Sequence, residues 1–475
     1  MQIPILNGIY ASESADFRQK YPHNMMPVSM EHGISNGYLR PSDGVNLFPF
    51  KGDVINNNFF YRINGEDRAA INWKGVCYRV IENTLYKVFD DGYLYSVGFL
   101  KVQNDEAGLG KCILDYSFEH LAIATGGYLF LYDGLNYDQN IDPDLGAVLD
   151  VIYIDGYFMT TDGEFLVVTE LGDPFSVNPL KYGSSEVDPD RIVGLIKIHN
   201  EVYAMNRYTV EAFYNKGSEL FPFARIEGSR MNRGLIGTKA KCELDEQIVF
   251  LGSGRNEPPA VWIGLNAQST KISTREIDKI LKNYSEKELA ETEFEKRVDE
   301  AHKQIWIRLI DQILIYDAAL SQAANTPIWY TIDYGPKNLC WCYDRWIVGN
   351  DSGQIGYLDD SISTVFGQRR EWEFQTKFMY NENKGAIVHE LELVSLPGRT
   401  NLGIDPTIWT SYTLDGETYS QEWPISAGVQ GQRQKRLCWF QQGGFDSYRA
   451  QKFRGNSDSH IAFARLDAEL EGLLY

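Results

Sequence analysis

Three groups of aspartates have the residue types and spacing that come closest to supporting catalysis. They are Asp90-Asp91, Asp142-Pro143-Asp144 and Asp359-Asp360. Two carboxylates that flank a glycosidic bond can act as general acid and as nucleophile or base. All three groups stand in turn-like settings, however, where aspartate commonly bonds to the backbone of the turn. We therefore interpret them as turn residues.

The other reactive side chains are scattered along the chain. Cys340 and Cys342 are the only close pair among six cysteines, and a zinc site would need a second pair. A Walker loop and a His-Glu-x-x-His motif are both absent. We predict buried free thiols, no enzyme activity, no cofactor and no metal site. The histidines stand far apart, none at metal-ligand spacing: His23, His32, His120, His199, His302, His389 and His460.

A cluster of six basic residues lies between residues 430 and 455, where Asp446 is the only acid. The whole chain, by contrast, carries a formal charge of −20. Two interpretations stay open: the polar face of a sheet, or an electrostatic docking face for an acidic partner subunit or passing DNA. The cluster consists of Arg433, Lys435, Arg436, Arg449, Lys452 and Arg454.

The acidic balance of the chain, 45 Lys and Arg against 65 Asp and Glu, limits its partners. It disfavours non-specific binding of nucleic acid, which depends on neutralising phosphates. No basic residue precedes Arg18, so we expect no signal peptide. The sequence contains no apolar run of about 18 residues, so we expect no membrane span. We expect a soluble chain made in a cytoplasm.

A loose repeat of short strands between residues 70 and 360 must position these side chains. Seven similar stretches recur at intervals of 36 to 54 residues, and propeller blades take about 40–50. Asp155-Gly156 between strand-forming flanks is a strong hairpin signal. We predict an all-β chain with a β-propeller of about seven irregular blades over residues 51–365; a series of β-sandwiches is the alternative. The anchors of the repeat are Val88, Tyr132, Val168, Phe213, Trp262, Tyr316 and Tyr357.

Different patterns flank the repeat. Residues 1–50 contain five prolines and predict an extended N-terminal arm, in which Tyr38, Leu39 and Arg40 are candidate inter-subunit contacts. Residues 366–475 alternate apolar and polar side chains, which predicts a C-terminal antiparallel β-sandwich. The predicted apolar faces are Ile387, His389, Leu391 and Leu393 on one strand, and Ala462, Ala464, Leu466, Ala468 and Leu470 on another.

A short helical insertion is predicted at residues 273–300. Ser273 with Glu276, and Ser285 with Glu288, have the spacing of capping boxes. The stripe Ile277, Ile280, Leu281 and Tyr284 would face the body of the protein, and acids predominate beyond it. A protein–protein contact and a solvated capping helix are both compatible with this pattern. The candidate inter-subunit residues are Arg275, Glu276, Glu286 and Glu288.

Several segments in order resemble a known family, the tail hub proteins of short-tailed bacteriophages, also called packaged-DNA stabilisation or tail accessory proteins. The likeness is clearest over residues 228–360. Its segments include Arg233-Gly234-Leu235-Ile236-Gly237-Thr238, Val261-Trp262-Ile263-Gly264, Glu276-Ile277-Asp278-Lys279-Ile280-Leu281, Leu314-Ile315-Tyr316-Asp317-Ala318, Trp329-Tyr330, and upstream Gly37-Tyr38-Leu39-Arg40-Pro41.

The resemblance implies a structural protein of the virion tail, assembled in the host cytoplasm. It implies a homo-oligomeric ring, hexameric in the family, below the portal and its adaptor. The ring would plug the packaged DNA, form part of the ejection channel, and anchor the tail needle and spikes or fibres. Genomic double-stranded DNA would pass through the lumen without sequence-specific binding. The alternative function is a carbohydrate-binding or glycoside-cleaving β-propeller.

Overall fold

The computed structural model describes residues 2–3, 21–29, 37–48, 59–60, 63–100, 111–185, 188–299, 302–380, 384–400, 402–456, 458–459 and 461–473. These residues form strands joined by short turns, with three short α-helices and one 3-10 helix at Pro143–Leu145. No described helix is long and apolar enough to cross a membrane.

Seven sheets follow one another along the chain after four N-terminal strands, β1 (Gln2–Ile3), β2 (Met25–Ser29), β3 (Gly37–Pro41) and β4 (Gly44–Leu47). Sheet I contains β5 (Phe59–Phe60), β6 (Asp67–Trp73), β7 (Val76–Ile81), β8 (Thr84–Val88) and β9 (Leu94–Phe99). Sheet II contains β10 (Cys112–Tyr116), β11 (Leu121–Thr125), β12 (Tyr128–Tyr132) and β13 (Tyr137–Gln139). Sheet III contains β14 (Asp150–Ile154), β15 (Tyr157–Thr161), β16 (Phe165–Glu170) and β17 (Asp173–Ser184).

The next sheets follow the same order. Sheet IV contains β18 (Ile192–Ile198), β19 (Glu201–Asn206), β20 (Val210–Asn215) and β21 (Phe223–Arg225). Sheet V contains β22 (Gly234–Leu235), β23 (Lys241–Leu244), β24 (Gln247–Ser253), β25 (Ala260–Leu265) and β26 (Gln268–Lys271), and helices α1 (Arg275–Leu281) and α2 (Glu286–Ala290) follow it. Sheet VI contains β27 (Glu293–Asp299), β28 (His302–Arg308), β29 (Gln312–Asp317) and, after helix α3 (Ala318–Ala324), β30 (Ile328–Asp333). Sheet VII contains β31 (Lys337–Cys342), β32 (Arg345–Gly349), β33 (Ile355–Asp359) and the N-terminal β4.

The seven sheets close into a propeller. Their innermost strands lie side by side in the order β6, β10, β14, β18, β23, β27 and β31, and β31 lies against β6. Apolar clusters fill the spaces between successive sheets, including the space between sheets VII and I. Burial of these apolar faces is the main force that holds the sheets together.

The first and last sheets are joined at two levels. At the outer edge, β4 pairs antiparallel with β33, so the N-terminal segment supplies the fourth strand of sheet VII. Near the centre, the fully buried Arg79 donates from Nε to Asp67 Oδ2 (2.8 Å) and from Nη2 to the Asn338 carbonyl (2.9 Å). Asn338 in turn donates to Asp67 Oδ1 (3.0 Å), which ties sheet VII to sheet I.

The remaining strands form a sandwich of two antiparallel sheets. One sheet runs β2-β3-β42-β36-β39, with β1 on β42 and β40 on β36. The other runs β34-β41-β37-β38, with β35 on β41. The strands are β34 (Trp372–Gln375), β35 (Met379–Tyr380), β36 (Ala386–Ser395), β37 (Thr407–Thr413), β38 (Trp423–Ser426), β39 (Cys438–Phe440), β40 (Gly444–Phe445), β41 (Tyr448–Gly455) and β42 (Phe463–Gly472).

The fold class predicted from the sequence, a propeller with a C-terminal sandwich, is confirmed. Counted outward from the centre of the propeller, the third strand of each sheet contains one of the seven anchors, from β8 in sheet I to β33 in sheet VII. A fourth strand pairs with the outer side of each of these strands, and in sheet VII it is the N-terminal β4. The predicted N-terminal arm is extended where it is described, but β1 to β3 join the sandwich and β4 joins the propeller.

The predicted apolar faces of two sandwich strands were wrong in part. The pairing of β36 with β42 shifts register between Val388 and Glu390, so Val388 is buried and His389 is exposed. A second shift, between Val394 and Ser395, puts Phe463 in the core while Ala464 is only half-buried. An extra residue on one strand reverses the alternation, and regular period-two counting cannot show it.

The helical insertion is shorter than predicted. Thr274, not Ser273, caps α1, whereas the capping box of Ser285 with Glu288 on α2 is confirmed. Residues 293–299, interpreted as acidic helix, are strand β27, in which Glu293 pairs with Lys239 of a turn before β23 and Glu295 pairs with Arg308 of β28. Helix α3 was missed, although Asp317 before an alanine-rich stretch is a recognisable cap signal.

Closure by β4 predicts a contrast between two substitutions in that strand. Val45 is buried against Val348 and Val365, so Val45→Ala should lower the free energy of unfolding by about 2 kcal/mol. Leu47, on the same strand, is exposed, and Leu47→Ala should change it by less than about 0.5 kcal/mol. Urea unfolding measures both free energies. If Val45→Ala costs as little as Leu47→Ala, β4 does not contribute to the stability of the closed propeller.

Candidate functional site at the junction of the two domains

Asn24 fastens the N-terminal segment between the propeller and the sandwich. Its side chain donates to Asp333 Oδ2 (2.8 Å) at the end of sheet VI and to the Glu371 carbonyl (2.6 Å) before β34. Its Oδ1 accepts from the Asp333 backbone N–H (3.0 Å). Asn24 is buried and has a φ of 53°, a left-handed conformation that asparagine tolerates better than most residues. The same residue therefore fixes three segments at once.

His23 continues this junction. Its Nε2 contacts Asp333 Oδ1 and its Nδ1 contacts Thr331 Oγ1, both at 2.9 Å. Burial raises the pKa of Asp333, but hydrogen bonds from His23 and Asn24 and the charge of Arg370 outweigh it, so the pKa is lowered overall. A carboxylate with a lowered pKa stabilises the fold above its unfolded pKa of about 3.9 and loses that contribution as the pH falls.

A buried ion pair completes the junction. Arg297 of β27 bonds to Asp43, which stands between β3 and β4, and Arg40 reaches the same carboxylate at 2.8 Å. Burial raises the pKa of Asp43, yet the charges of Arg297 and Arg40 outweigh it and the pKa is lowered. Removing one member of such a pair leaves a buried charge without its partner, which strongly destabilises the fold.

A cleft of about 1170 Å³ lies beside this junction, between the propeller and the sandwich. Strands of sheets VI and VII form one side, and β2, β3 and residues 394–399 and 462–464 form the other. Ala462 and Ala464, which the sequence placed in the sandwich core, line this cleft instead.

The predicted basic cluster does not form one exposed face. Arg449 is fully buried and donates to the Gln442 carbonyl (2.6 Å), and burial lowers its pKa to about 10. Arg436, Lys452 and Arg454 pair with glutamates, so their charges are offset. Arg433 is exposed, and Lys435 bonds to the Ser426 hydroxyl (2.7 Å). Docking through this cluster would therefore depend on Arg433 and Lys435.

Among the described residues, one group of side chains has the spacing of metal ligands, and Arg436 bonds to two of its members. Ligand atoms of Glu390, Glu392 and Cys438 lie within 4.8 Å of one another. The Arg436 guanidinium bonds to Glu392 (2.6 Å) and to Glu390 (3.0 Å), and it lowers the pKa of Glu392. An arginine thus already supplies the positive charge that a metal ion would bring.

The candidate inter-subunit residues lie in different environments. Leu39 is fully buried in the sandwich core. Tyr38 lines the cleft, and Arg40 is held by Asp43.

On the helical insertion, Arg275 is exposed. Glu276 pairs with Lys279 (2.6 Å), Glu286 pairs with Arg207 (2.8 Å), and Glu288 caps α2. The contact role of these four residues stays a prediction.

One surface was not found from the sequence. Phe118, Leu135, Leu171 and Leu220 are all more than half exposed. They lie in loops between first and second, or third and fourth, strands of sheets II to IV. Antiparallel strands alternate in direction, so such loops share one end of a propeller. We call these four residues the apolar rim; a leucine beside a turn glycine, as in Gly134-Leu135 and Leu171-Gly172, is the signal that could have indicated it.

The junction predicts a specific order of stability among asparagine variants. Asn24→Gly should cost about 3 kcal/mol, because it removes three hydrogen bonds and leaves buried partners unsatisfied. Asn24→Ala should cost about 1 kcal/mol more, since alanine resists positive φ. Asn325, also at positive φ but exposed, is the control: Asn325→Gly should stay within about 0.5 kcal/mol. Urea unfolding tests the order, which an unchanged Asn24→Gly protein would contradict.

Sequence comparisons cover both domains. A profile described as bacteriophage P22 Gp10, beta-propeller, matches residues 1–363, and one described as bacteriophage P22 Gp10, beta-sandwich, matches residues 371–471. The tail hub protein gp10 of Salmonella phage P22 is 25% identical over 497 residues, which span 99% of each chain.

Two solved structures align with about 70% of this chain. The Pan2 WD40 domain of Neurospora crassa aligns with a TM-score of 0.42 and 9% identity, covering 70% of this chain and 97% of that domain. PorZ of Porphyromonas gingivalis aligns with a TM-score of 0.38 and 10% identity, covering 71% of this chain and 45% of PorZ. The family profiles, which match the two domains in their order along the chain, decide the assignment. The chain belongs to the P22 Gp10 family of bacteriophage tail hub proteins.

Proposed function

We propose that this chain forms the hub ring of a phage tail, docked below the portal and its adaptor. As a member of its family, it is a structural protein of the virion tail and not an enzyme, as the sequence predicted. The observation that carries the proposal is the match to a tail hub protein along 99% of both chains. A match through both domains supports the tail hub role more strongly than a match of the propeller alone, because proteins that share one fold can have many functions.

The proposed ring is a homo-oligomer, hexameric as in the family. It would plug the packaged genome, form part of the ejection channel, and anchor the tail needle and spikes or fibres. The net charge of −20 supports the channel role, because an acidic wall repels DNA and does not hold it during ejection.

The apolar rim supports contacts between subunits. Phe118, Leu135, Leu171 and Leu220 expose large side chains at one end of three neighbouring sheets. Grouped apolar side chains of this kind commonly mark a protein–protein contact. We assign this surface to a neighbouring copy of the chain, because a ring needs such a surface on every subunit.

Negative-stain microscopy of the purified chain, alone and with its portal–adaptor complex, tests the proposal. The expected result is a ring that docks at the exit of the portal. A chain that stays monomeric with the complex and cleaves glycans would overturn the hub function in favour of a carbohydrate-active propeller.

Substitutions in the apolar rim should prevent ring formation without unfolding the subunit. Leu135→Asp with Leu171→Asp places two charges on side chains that are 91% and 64% exposed, so stability should change by less than about 1 kcal/mol. A charge in an apolar interface should leave the protein monomeric in analytical ultracentrifugation. Leu402→Asp, on an equally exposed sandwich residue, is the matched control and should still form rings. Rings formed by the double variant would place the subunit contact elsewhere.

Docking through Arg433 and Lys435, which form no ion pair with a described residue, gives a second test. Arg433→Glu with Lys435→Glu should abolish binding to the portal–adaptor complex, while the chain keeps its circular dichroism spectrum. Lys216→Glu, a reversal of one exposed charge on the propeller, is the control and should bind normally. Binding should be measured at two salt concentrations, since an electrostatic contact weakens with salt. Unchanged binding by the double variant would exclude this docking face.

A further inference from the structure

The cleft between the propeller and the sandwich has the size and lining of a ligand site. Its volume of about 1170 Å³ is slightly above the range of about 300–1,000 Å³ that is typical of small-molecule pockets. It therefore has room for an elongated ligand of several rings.

Trp341 provides a flat apolar platform in the cleft. Its side chain is nearly half exposed although the backbone is fixed, since its carbonyl accepts a hydrogen bond from Asn72 (2.8 Å). Trp346 supports the ring edge-on at 5.5 Å between centroids. Tyr357 adds a second aromatic group, over which the Arg345 guanidinium lies at 4.8 Å. An exposed tryptophan held in one position costs little ordering entropy when a ligand stacks on it.

Polar groups beside these rings remain available to a ligand. Among the described residues, Arg399, Asp344 and Asp360 line the cleft, are exposed, and form no ion pair. Arg345 likewise meets no described carboxylate. His302 also lines the cleft, and its Nδ1 is held by Asp317 Oδ2 at 2.6 Å. Carboxylate acceptors and guanidinium donors therefore stand within one cleft with an aromatic platform.

We propose that this cleft binds an oligosaccharide. A sugar ring has an apolar face of C–H groups, which suits Trp341, and an edge of hydroxyl groups, which suits Asp344, Asp360 and Arg399. Hydrogen bonds between hydroxyls and ionised side chains are stronger than neutral ones. The proposal concerns a single subunit and does not depend on ring assembly.

Titration of the full-length chain with three soluble probes tests the proposal. The probes are maltohexaose, an oligogalacturonate, and a lipopolysaccharide core oligosaccharide freed of lipid. At least one should change the intrinsic tryptophan fluorescence and bind in calorimetry with a dissociation constant below about 1 mM. Trp341→Ala should weaken that binding at least ten-fold, about 1.4 kcal/mol. Asp344→Asn with Asp360→Asn should weaken it as well.

Two controls separate this result from loss of structure or assembly. Phe440→Ala truncates a more exposed aromatic residue that is outside the cleft lining, and it should leave saccharide binding unchanged. Rings formed by Trp341→Ala should look normal by microscopy, so a failure of the hub function and a failure of this site are distinguishable. The proposal is wrong if all three probes fail to bind at roughly 10 mM, or if Trp341→Ala binds as tightly as the native chain.

Discussion

In a closed propeller the first and last sheets must be joined, and the rest of this structure depends on that constraint. An unjoined circle would leave the outer part of sheet VII with an open strand edge, which invites pairing with other chains. Here β4 covers β33, and the buried group of Arg79, Asp67 and Asn338 connects the first and last sheets near the centre. Apolar packing holds neighbouring sheets together around the ring, and at this seam charged hydrogen bonds also fix which groups must meet.

The same N-terminal segment connects the two domains. It contributes β1, β2 and β3 to the sandwich and β4 to the propeller, and Asn24, His23 and Asp43 bond to sheet VI or to the residues before β34. These bonds are directional, so they set position as well as energy. The sandwich is therefore fixed against sheets VI and VII, and the cleft between the domains has a defined shape.

The sequence was most informative where a pattern repeats. Seven stretches of similar spacing were enough to predict the propeller, because third strands such as β12 and β29 are apolar and follow one another regularly. The sequence was misleading where the environment of a side chain depends on residues far away along the chain. The sequence around Arg449 indicates a surface charge, whereas the side chain is buried and bonds to the Gln442 carbonyl. The acids of residues 293–299 indicate a solvated helix, whereas Lys239 and Arg308 pair with two of them in the folded chain. Asp43 and Arg297 are 254 residues apart, which no local pattern could connect. The cleft combines strands and connecting residues of two domains, so no local pattern could predict it either.

Closure by β4 has a consequence for biosynthesis. Asn46 and its contact Tyr357 are 311 residues apart, so the ribosome must translate most of the chain before β4 can find its place. Contacts of such long sequence separation form late and slowly, because a large loop must close first. A nascent subunit therefore keeps an incomplete seventh sheet, and its two domains stay unconnected, until translation is nearly finished. The seventh sheet is thus the last sheet of the propeller to be completed.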